Sequence, residues 1–271
     1  MPLAGLQIAF KNFNATKGIW GSEWVGFQYF EQFFSSPMFG KLLKNTLVLS
    51  LYQLVFSFPI PICLALILNY TPNQKLKKLT QTVTYAPHFI STVVLVGMMF
   101  VFFDPVSGIG STILKAFGMN NPQVLMDPAA FPHLYVWSGI WQTTGWSSII
   151  YIAALSGISP ELHEAAIADG ANKIQRIFYI DLPMLIPTAV ILLILNCGNI
   201  MNLGFEKVYL MQTAPNLSTS EIISTYVYKI GLQGQQYSYA SAIGLFNNVI
   251  NFIILLLVNQ AARKTTDNSL W

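Results

Sequence analysis

Five stretches of this chain, 46–69, 79–103, 134–158, 182–205 and 239–260, contain no Asp, Glu, Lys or Arg, and each holds at least 22 residues. About 20 apolar residues suffice to cross the hydrocarbon core of a bilayer as a helix. The 14 Lys and Arg and the 11 Asp and Glu all fall between or outside these runs. A charge at mid-bilayer costs about 3 kcal/mol, which accounts for such a partition. One apolar run of this length could be a buried helix of a soluble protein; five in series point to a membrane. Lipid offers no partner to free backbone N–H and C=O groups, so the spans must be helices or a closed barrel. The runs lack the period-two alternation of barrel strands, so the expectation is an all-α polytopic membrane protein with five transmembrane helices. Pro59, Pro61, Gly97 and Gly139 sit inside the runs, where such residues often mark kinks.

Only 9% of the residues are charged, far below a soluble domain, and the net charge of +3 is too mild to suggest nucleic acid as a partner. Cys63 and Cys197 both lie in apolar runs and read as small buried hydrophobes, not as a disulfide or metal pair. His88, His133 and His163 show no metal-ligand spacing and read as surface or interface polarity. The chain lacks the Gly-x-x-x-x-Gly-Lys-Ser/Thr phosphate loop, so ATP hydrolysis by that route is excluded. The first ten residues are apolar, too short to span, and read as the last turns of a helix.

Between the third and fourth runs lies a charged island, 159–181. Ser159 followed by Pro160 is a helix-start signal, a side-chain cap and then proline at the first helical position. Glu161 and Glu164 fall near the positive end of the helix dipole. Ala165, Ala166 and Ala168 give a short helix a small-side-chain surface that can lie close to a partner. Gly170 permits a left-handed turn that stops the helix. A second helix is expected to restart near Asn172 and to lead into the next span through Leu182 and Pro183. A partner that grips the first helix and moves it would tilt both neighbouring spans. An ordinary amphipathic connector is the blander reading of the same residues.

The order Glu164-Ala165-Ala166, Asp169-Gly170, Ile180-x-Leu182-Pro183 and Pro187 resembles the EAA loop of ABC-type importer permeases. Downstream, Phe205-Glu206-Lys207-Val208-Tyr209-Leu210, Pro215, Thr225-Tyr226-Val227-Tyr228 and Tyr237-Ser238-Tyr239-Ala240-Ser241-Ala242 resemble the carbohydrate-uptake branch of that family. Upstream, Gln7–Phe13, Lys17–Gly21, Trp24-Val25-Gly26 and Tyr85–Ser91 look like its LplB-type subgroup, which serves polysaccharide-derived oligosaccharides. The likeness covers essentially the whole chain. It implies a MetI-like permease fold. The loop would be a coupling helix seated in a cleft of a separate cytoplasmic ATPase, with Glu164, Ala165, Ala166, Asp169, Gly170, Leu182 and Pro183 as its motif positions. It also implies a second related permease subunit, two ATPase subunits that carry the ATP and Mg, an extracytoplasmic sugar-binding lipoprotein, and no cofactor on this chain. The subunit would be a transporter component of a bacterial cytoplasmic membrane, not an enzyme. In such a family residues 1–10 correspond to the exit of a further, first helix, apparent here only as a truncated remnant. Thr213-Ala214-Pro215 stands where Gly-Gly-Pro is common.

With five spans the two ends lie on opposite sides. Placing 70–78 inside puts Lys75, Lys77, Lys78, Lys173, Arg176, Arg263 and Lys264 in short inside loops. Lys11, Lys17, Lys41, Lys44, Lys115, Lys207 and Lys229 then lie in the long outside segments 1–45, 104–133 and 206–238. The higher basic density of the short loops favours that orientation, with the tail 261–271 cytoplasmic and 46–260 as the transmembrane permease domain. Phe30, Phe33 and Phe34 follow helical spacing and suit either an interfacial helix or packing against spans.

A sugar path needs amides and aromatic faces in an apolar wall, and polar groups inside a membrane are functional candidates. Trp141, Gln142, Thr143 and Trp146 lie within about a turn and a half of the third run, with Trp137 nearby. Asn196, Asn199 and Asn202 recur every three residues in the fourth run. Asn247, Asn248 and Asn251 recur in the last. Interhelical hydrogen bonding is the competing role for each. The alternatives are an ABC importer permease for a non-sugar solute, an ion-coupled secondary carrier and a membrane-embedded enzyme. Anion cargo favours an intramembrane basic residue, a secondary carrier an intramembrane carboxylate, and an enzyme a cluster of catalytic side chains. The runs hold none of these.

Overall fold

The computed structural model describes residues 2–118, 123–266 and 269–270. Met1, residues 119–122, 267–268 and 271 lie outside the described residues; they belong to the expected N-terminal remnant, the outside segment 104–133 and the tail 261–271. The described residues are mostly helical. A 3-10 segment Pro2–Phe10 leads into the two-residue strands β1 (Lys11–Asn12) and β2 (Glu23–Trp24), antiparallel with Lys11 opposite Trp24, with α1 (Gly18–Gly21) between them. Then follow α2 (Gln28–Phe34), α3 (Pro37–Ser57), α4 (Pro59–Asn69), α5 (Gln74–Tyr85), α6 (Thr92–Phe102), α7 (Ile109–Ala116), α8 (Ala130–Ser156), α9 (Pro160–Ala168), α10 (Lys173–Arg176), α11 (Leu182–Gly198), α12 (Phe205–Met211), α13 (Leu217–Ser220), α14 (Ile223–Tyr228) and α15 (Tyr237–Thr266).

Among the described residues three helices are long and apolar enough to cross a membrane: Pro37–Asn69, Lys173–Gly198 and Tyr237–Thr266. The count becomes four if the bent pair Gln74–Phe89 and Thr92–Phe102 is one span. Five spans were expected, and the two differences have local causes. The run 79–103 is not one straight helix but turns by 100°. Pro87 sits in a 3-10 turn, Ala86–Phe89, and Ile90 is extended, so the helical ladder cannot continue. The run 134–158 lies in α8 up to Ser156, and the 27 residues of that helix would reach about 40 Å at 1.5 Å each. Its Trp, Tyr, Gln, Ser, Thr and Gly content makes it long enough but not apolar enough to stand in lipid unaided. In the first run Pro59 opens α4 after a break at Phe58, as its position suggested. Gly97 and Gly139 lie inside unbroken helices.

The chain divides into two compact units. The first comprises 1–51, 92–135 and 199–253. Its buried side chains include Phe33, Leu42, Leu49, Met201, Met211, Ile222 and Ile223. Phe33 is 1% exposed and packs edge-on against Phe39 and Phe246, so α2 is anchored by packing, while Phe34 stays half exposed. Connecting segments here are closed by side-chain amides, because a buried loop must find partners for its own backbone. Buried Asn216 donates to the carbonyls of Leu125 and Met211 and accepts from Thr213 N and Ser220 Oγ. Asn45 donates to the carbonyls of Ser218 and Glu221, and Lys229 pairs with Glu221 at 2.8 Å.

The second unit comprises 52–91, 136–198 and 254–271. Its core is Ala65, Leu66, Tyr151, Leu155 and Leu185, from α4, α8 and α11. Gly145 of α8 lets that helix meet the end of α5: a Cβ there would lie 2.1 Å from the Thr84 carbonyl oxygen. Cys197 is buried as expected; Cys63 is exposed on α4, against the expectation.

Candidate functional site

The charged island folds as two short helices between α8 and α11, all within the second unit. Helix α9 has Pro160 at its first turn, as expected, but the Ser159 hydroxyl makes no capping bond. The Ser159 backbone carbonyl serves instead, accepting from Leu162 N at 3.2 Å. Gly170 stops the helix at φ +85°, and Asp169 N and Ala171 N return to the carbonyls of Ala165 and Ala166. Helix α10 restarts where Asn172 and Gln175 form a reciprocal capping box. A π turn, Ile177–Asp181, joins α10 to Leu182 and Pro183.

Helix α9 buries no residue. Between Ser159 and Gly170 only His163 and Ala166 are half-buried; Glu164, Ala165, Asp169 and Gly170 are exposed. These two positions stand three apart and so share a face. The rest of the helix is free to meet another surface. Leu182 is half-buried and Pro183 exposed where the span begins.

Behind α9 lies a polar cluster that the sequence reading missed. Asp181, the last residue of the π turn, is wholly buried. Its Oδ2 accepts from the Tyr70 hydroxyl at 2.6 Å, and His163 Nε2 lies 3.4 Å from Oδ1. The Arg176 guanidinium sits over the Tyr70 ring at 5.5 Å. Burial, with the hydrogen bond to and the charge of Asp181, pushes the Tyr70 hydroxyl up to about 12, so it remains a donor at neutral pH. One signal was available: a carboxyl directly abutting an apolar run needs a partner, and His163 in the island and Tyr70 at the end of the first run both carry hydrogen-bonding side chains.

The candidate path residues divide by unit. In the second, Trp141, Thr143, Trp146 and Asn196 are exposed. Trp146 stacks on His88 at 4.5 Å with the planes 1° apart. Trp141 borders a cavity of about 280 Å³ with Val83, Thr84 and Thr144. Gln142 is used differently: its Nε2 donates at 2.8 Å to the Ile90 carbonyl freed by the bend. In the first unit, the expected stripe Asn196, Asn199 and Asn202 does not hold as one helix face, because α11 ends at Gly198 and Asn199–Asn202 form a turn. Asn247 donates to Asn202 Oδ1 at 2.7 Å, and Asn251 Oδ1 accepts from Met201 N at 2.9 Å. Both are buried and hold the turn after α11 to α15, whereas Asn248 is exposed. Phe205, Tyr209 and Tyr228 cluster with ring centres 4.8–5.4 Å apart. Phe205 and Tyr228, with Ile8, Phe13 and Tyr237, border a cleft of about 500 Å³. Among the described residues no group of His, Cys, Asp or Glu is arranged to hold a metal ion.

These features agree with what the chain is similar to. The family described as "Binding-protein-dependent transport system inner membrane component" matches residues 57–267. Protein LplB of Bacillus subtilis (strain 168) is 41% identical over 271 residues, all of this chain and 85% of that protein. The polygalacturonan/rhamnogalacturonan transport system permease protein YteP of the same organism is 41% identical over all of this chain and 84% of its own length. The crystal structure of a bacterial alginate ABC transporter, in complex with an alginate pentasaccharide-bound periplasmic protein, has a chain that superposes with a TM-score of 0.91 at 38% identity, covering 99% of this chain and 90% of that one. The MetI-like permease fold and the transport role follow, and these relatives are transport subunits, not enzymes. The chain belongs to the binding-protein-dependent ABC importer permeases, the inner membrane components of such transport systems.

Proposed function

We propose that this chain is one of two membrane-spanning subunits of an importer that takes up oligosaccharides released from polysaccharides. The observation that carries the reading is α9: a short helix with no buried residue, stopped by a left-handed glycine and set between two long helices without a charged residue, α8 and α11. Such a helix has no reason to be stable alone, since isolated helices under about 12 residues are marginal in water. A partner surface supplies what it lacks. That partner is an ATPase subunit, which carries the ATP and Mg that this chain has no loop to bind. Glu164, Ala165, Asp169 and Gly170 meet it, Ala166 backs the helix, and Leu182 and Pro183 pass the motion to α11.

The sugar assignment rests on the relatives: YteP is named for polygalacturonan and rhamnogalacturonan, and the solved neighbour was captured with an alginate pentasaccharide on its periplasmic protein. A second permease subunit pairs with this one, and an extracytoplasmic lipoprotein delivers the substrate. ATP draws the motor subunits together, the α9 helices move, and the pathway switches from inward- to outward-facing. Hydrolysis then reverses the switch and releases the sugar inside. Exposed aromatic and amide groups, Trp141, Thr143, Trp146 and Asn196 in one unit and Asn199, Asn202 and Asn248 in the other, are the sugar contacts of this reading. Gln142, Asn247 and Asn251 support that wall by holding backbone and neighbouring side chains. The island 159–181 and the tail 261–271 face the cytoplasm.

The test is co-purification from native membranes followed by reconstitution. The tagged chain should emerge with a P-loop ATPase and a second permease, and vesicles holding that complex should accumulate labelled acidic or neutral oligosaccharides only with ATP and the binding protein. A chain that emerges alone under several mild detergents would count against the assembly. A complete complex that moves an amino acid or phosphate in preference to every oligosaccharide would overturn the sugar assignment.

A further inference from the structure

Among the described residues, the one side-chain polar link between α9 and the helices behind it runs through a single buried carboxyl. Asp181 has one oxygen committed at 2.6 Å to Tyr70, the residue that follows α4 as its C-cap. Its other oxygen has no hydrogen-bond partner and lies 3.4 Å from His163 Nε2, on the inner face of α9. The remaining inward position of α9, Ala166, offers one methyl group. Arg176 Nε, on the turn that precedes Asp181, is likewise buried without a hydrogen-bond partner. A buried acceptor and a buried donor left open in one place are costly, and native structures seldom keep them without a use. The π turn that carries Asp181 is the kind of helix irregularity found most often at functional positions.

We propose that Asp181 is a positioning residue that couples α9 to the membrane helices: through Oδ2 it grips Tyr70 at the end of α4, and through Oδ1 it holds His163 of α9. The inference rests on α9 being the element that the motor moves. The tight contact joins Asp181 to α4, and the loose one joins it to α9. A push on α9 therefore closes the His163–Asp181 gap and is passed at once to α4 and α11. Without the carboxyl, α9 can shift on its two chain connections while the spans stay still. The motor then turns over without moving substrate.

The test compares Asp181→Ala, His163→Ala and His163→Gln in the reconstituted importer, with two readouts. The first is substrate moved per ATP hydrolysed. The second is the mobility of a nitroxide spin label placed on the exposed position Ala168, recorded in the detergent-solubilised permease. Asp181→Ala and His163→Ala should lower the transport ratio several-fold, by cutting uptake more than ATPase rate, and should loosen the label. His163→Gln keeps a side-chain N–H donor and should restore much of both. A purely structural role lowers the yield of folded importer but leaves the ratio unchanged in what folds, and that result overturns the proposal. An immobile label with an unchanged ratio in both alanine variants overturns it as well. Failure of the underlying reading looks different: wild-type importer whose Glu164→Ala variant couples normally shows that α9 is not the motor contact.

Discussion

At the scale of single residues, this chain spends its polar side chains on backbone that apolar surroundings would otherwise strand. Gln142 serves the Ile90 carbonyl at the bend, Asn251 serves Met201 N after α11 stops, and Asn216 closes four bonds around one turn. Sequence alone placed several of these amides inside apolar runs but could not say which faced a path and which faced a neighbour. The period of a helix fixes a side, not its occupant. Two residue-scale predictions follow from contacts of opposite kinds. Gly145→Ala forces a Cβ onto the Thr84 carbonyl, backbone that cannot give way, and should cost about 1–3 kcal/mol as overpacking. Gly97→Ala meets nothing within 4 Å and improves helix propensity, so it should be neutral or slightly stabilising. Thermal midpoints of the two solubilised variants measure the contrast. Tyr70→Phe removes the donor on Asp181 Oδ2 and leaves a buried acceptor unmet, so it should destabilise by about 1–3 kcal/mol in the same assay.

At the scale of elements, the runs were legible because lipid enforces them: no charged residue breaks any of the five. Their interruptions were less legible. Pro59 announced its break, but the turn at Pro87 and Ile90 needed a partner amide from α8 to be tolerated, and that partner is distant in sequence. The end of α11 at Gly198 likewise depends on Asn247 and Asn251 of α15. The island was the most legible element of all, since Pro160, Gly170 and Asn172 act through local backbone preferences that need no tertiary help. Its hidden part was the inner face, where His163 read as surface or interface polarity with no partner named. The element-scale prediction concerns the outer face. Glu164 is exposed and makes no hydrogen bond or ion pair among the described residues, so Glu164→Ala removes nothing that holds this chain together. Gly170→Ala adds about 1–2 kcal/mol of left-handed strain, with open space around the new methyl. Both variants should insert into the membrane at normal levels and lose uptake and substrate-stimulated ATPase activity. Normal uptake by both would remove the coupling role from α9.

At the scale of the whole molecule, the chain passes between its two compact units five times, at 51/52, 91/92, 135/136, 198/199 and 253/254, and each passage falls within one of the five apolar runs. The runs are thus shared by both units, while the charged segments between them belong to one or the other. Lys75, Lys77, Lys78, Lys173, Arg176, Arg263 and Lys264 all fall in the second unit, with α9. Lys11, Lys17, Lys41, Lys44, Lys115, Lys207 and Lys229 all fall in the first. These are the two sets that charge density assigned to opposite sides of the membrane. That assignment makes a prediction for the intact membrane. With Cys63 and Cys197 replaced by alanine, single cysteines at Lys77, Ala168 or Lys264 should resist a membrane-impermeant maleimide in spheroplasts and react once the cells are broken. Single cysteines at Lys17, Lys115 or Thr213 should react in both. A reactive cysteine at Ala168 in sealed spheroplasts would place α9 outside, beyond the reach of any cytoplasmic motor. Protection at Lys115 and Thr213 with reaction at Ala168 and Lys264, while Lys77 stays protected and Lys17 reactive, would mean instead that the bent pair around Ile90 does not cross the membrane, because losing that one crossing reverses the side of every segment after it.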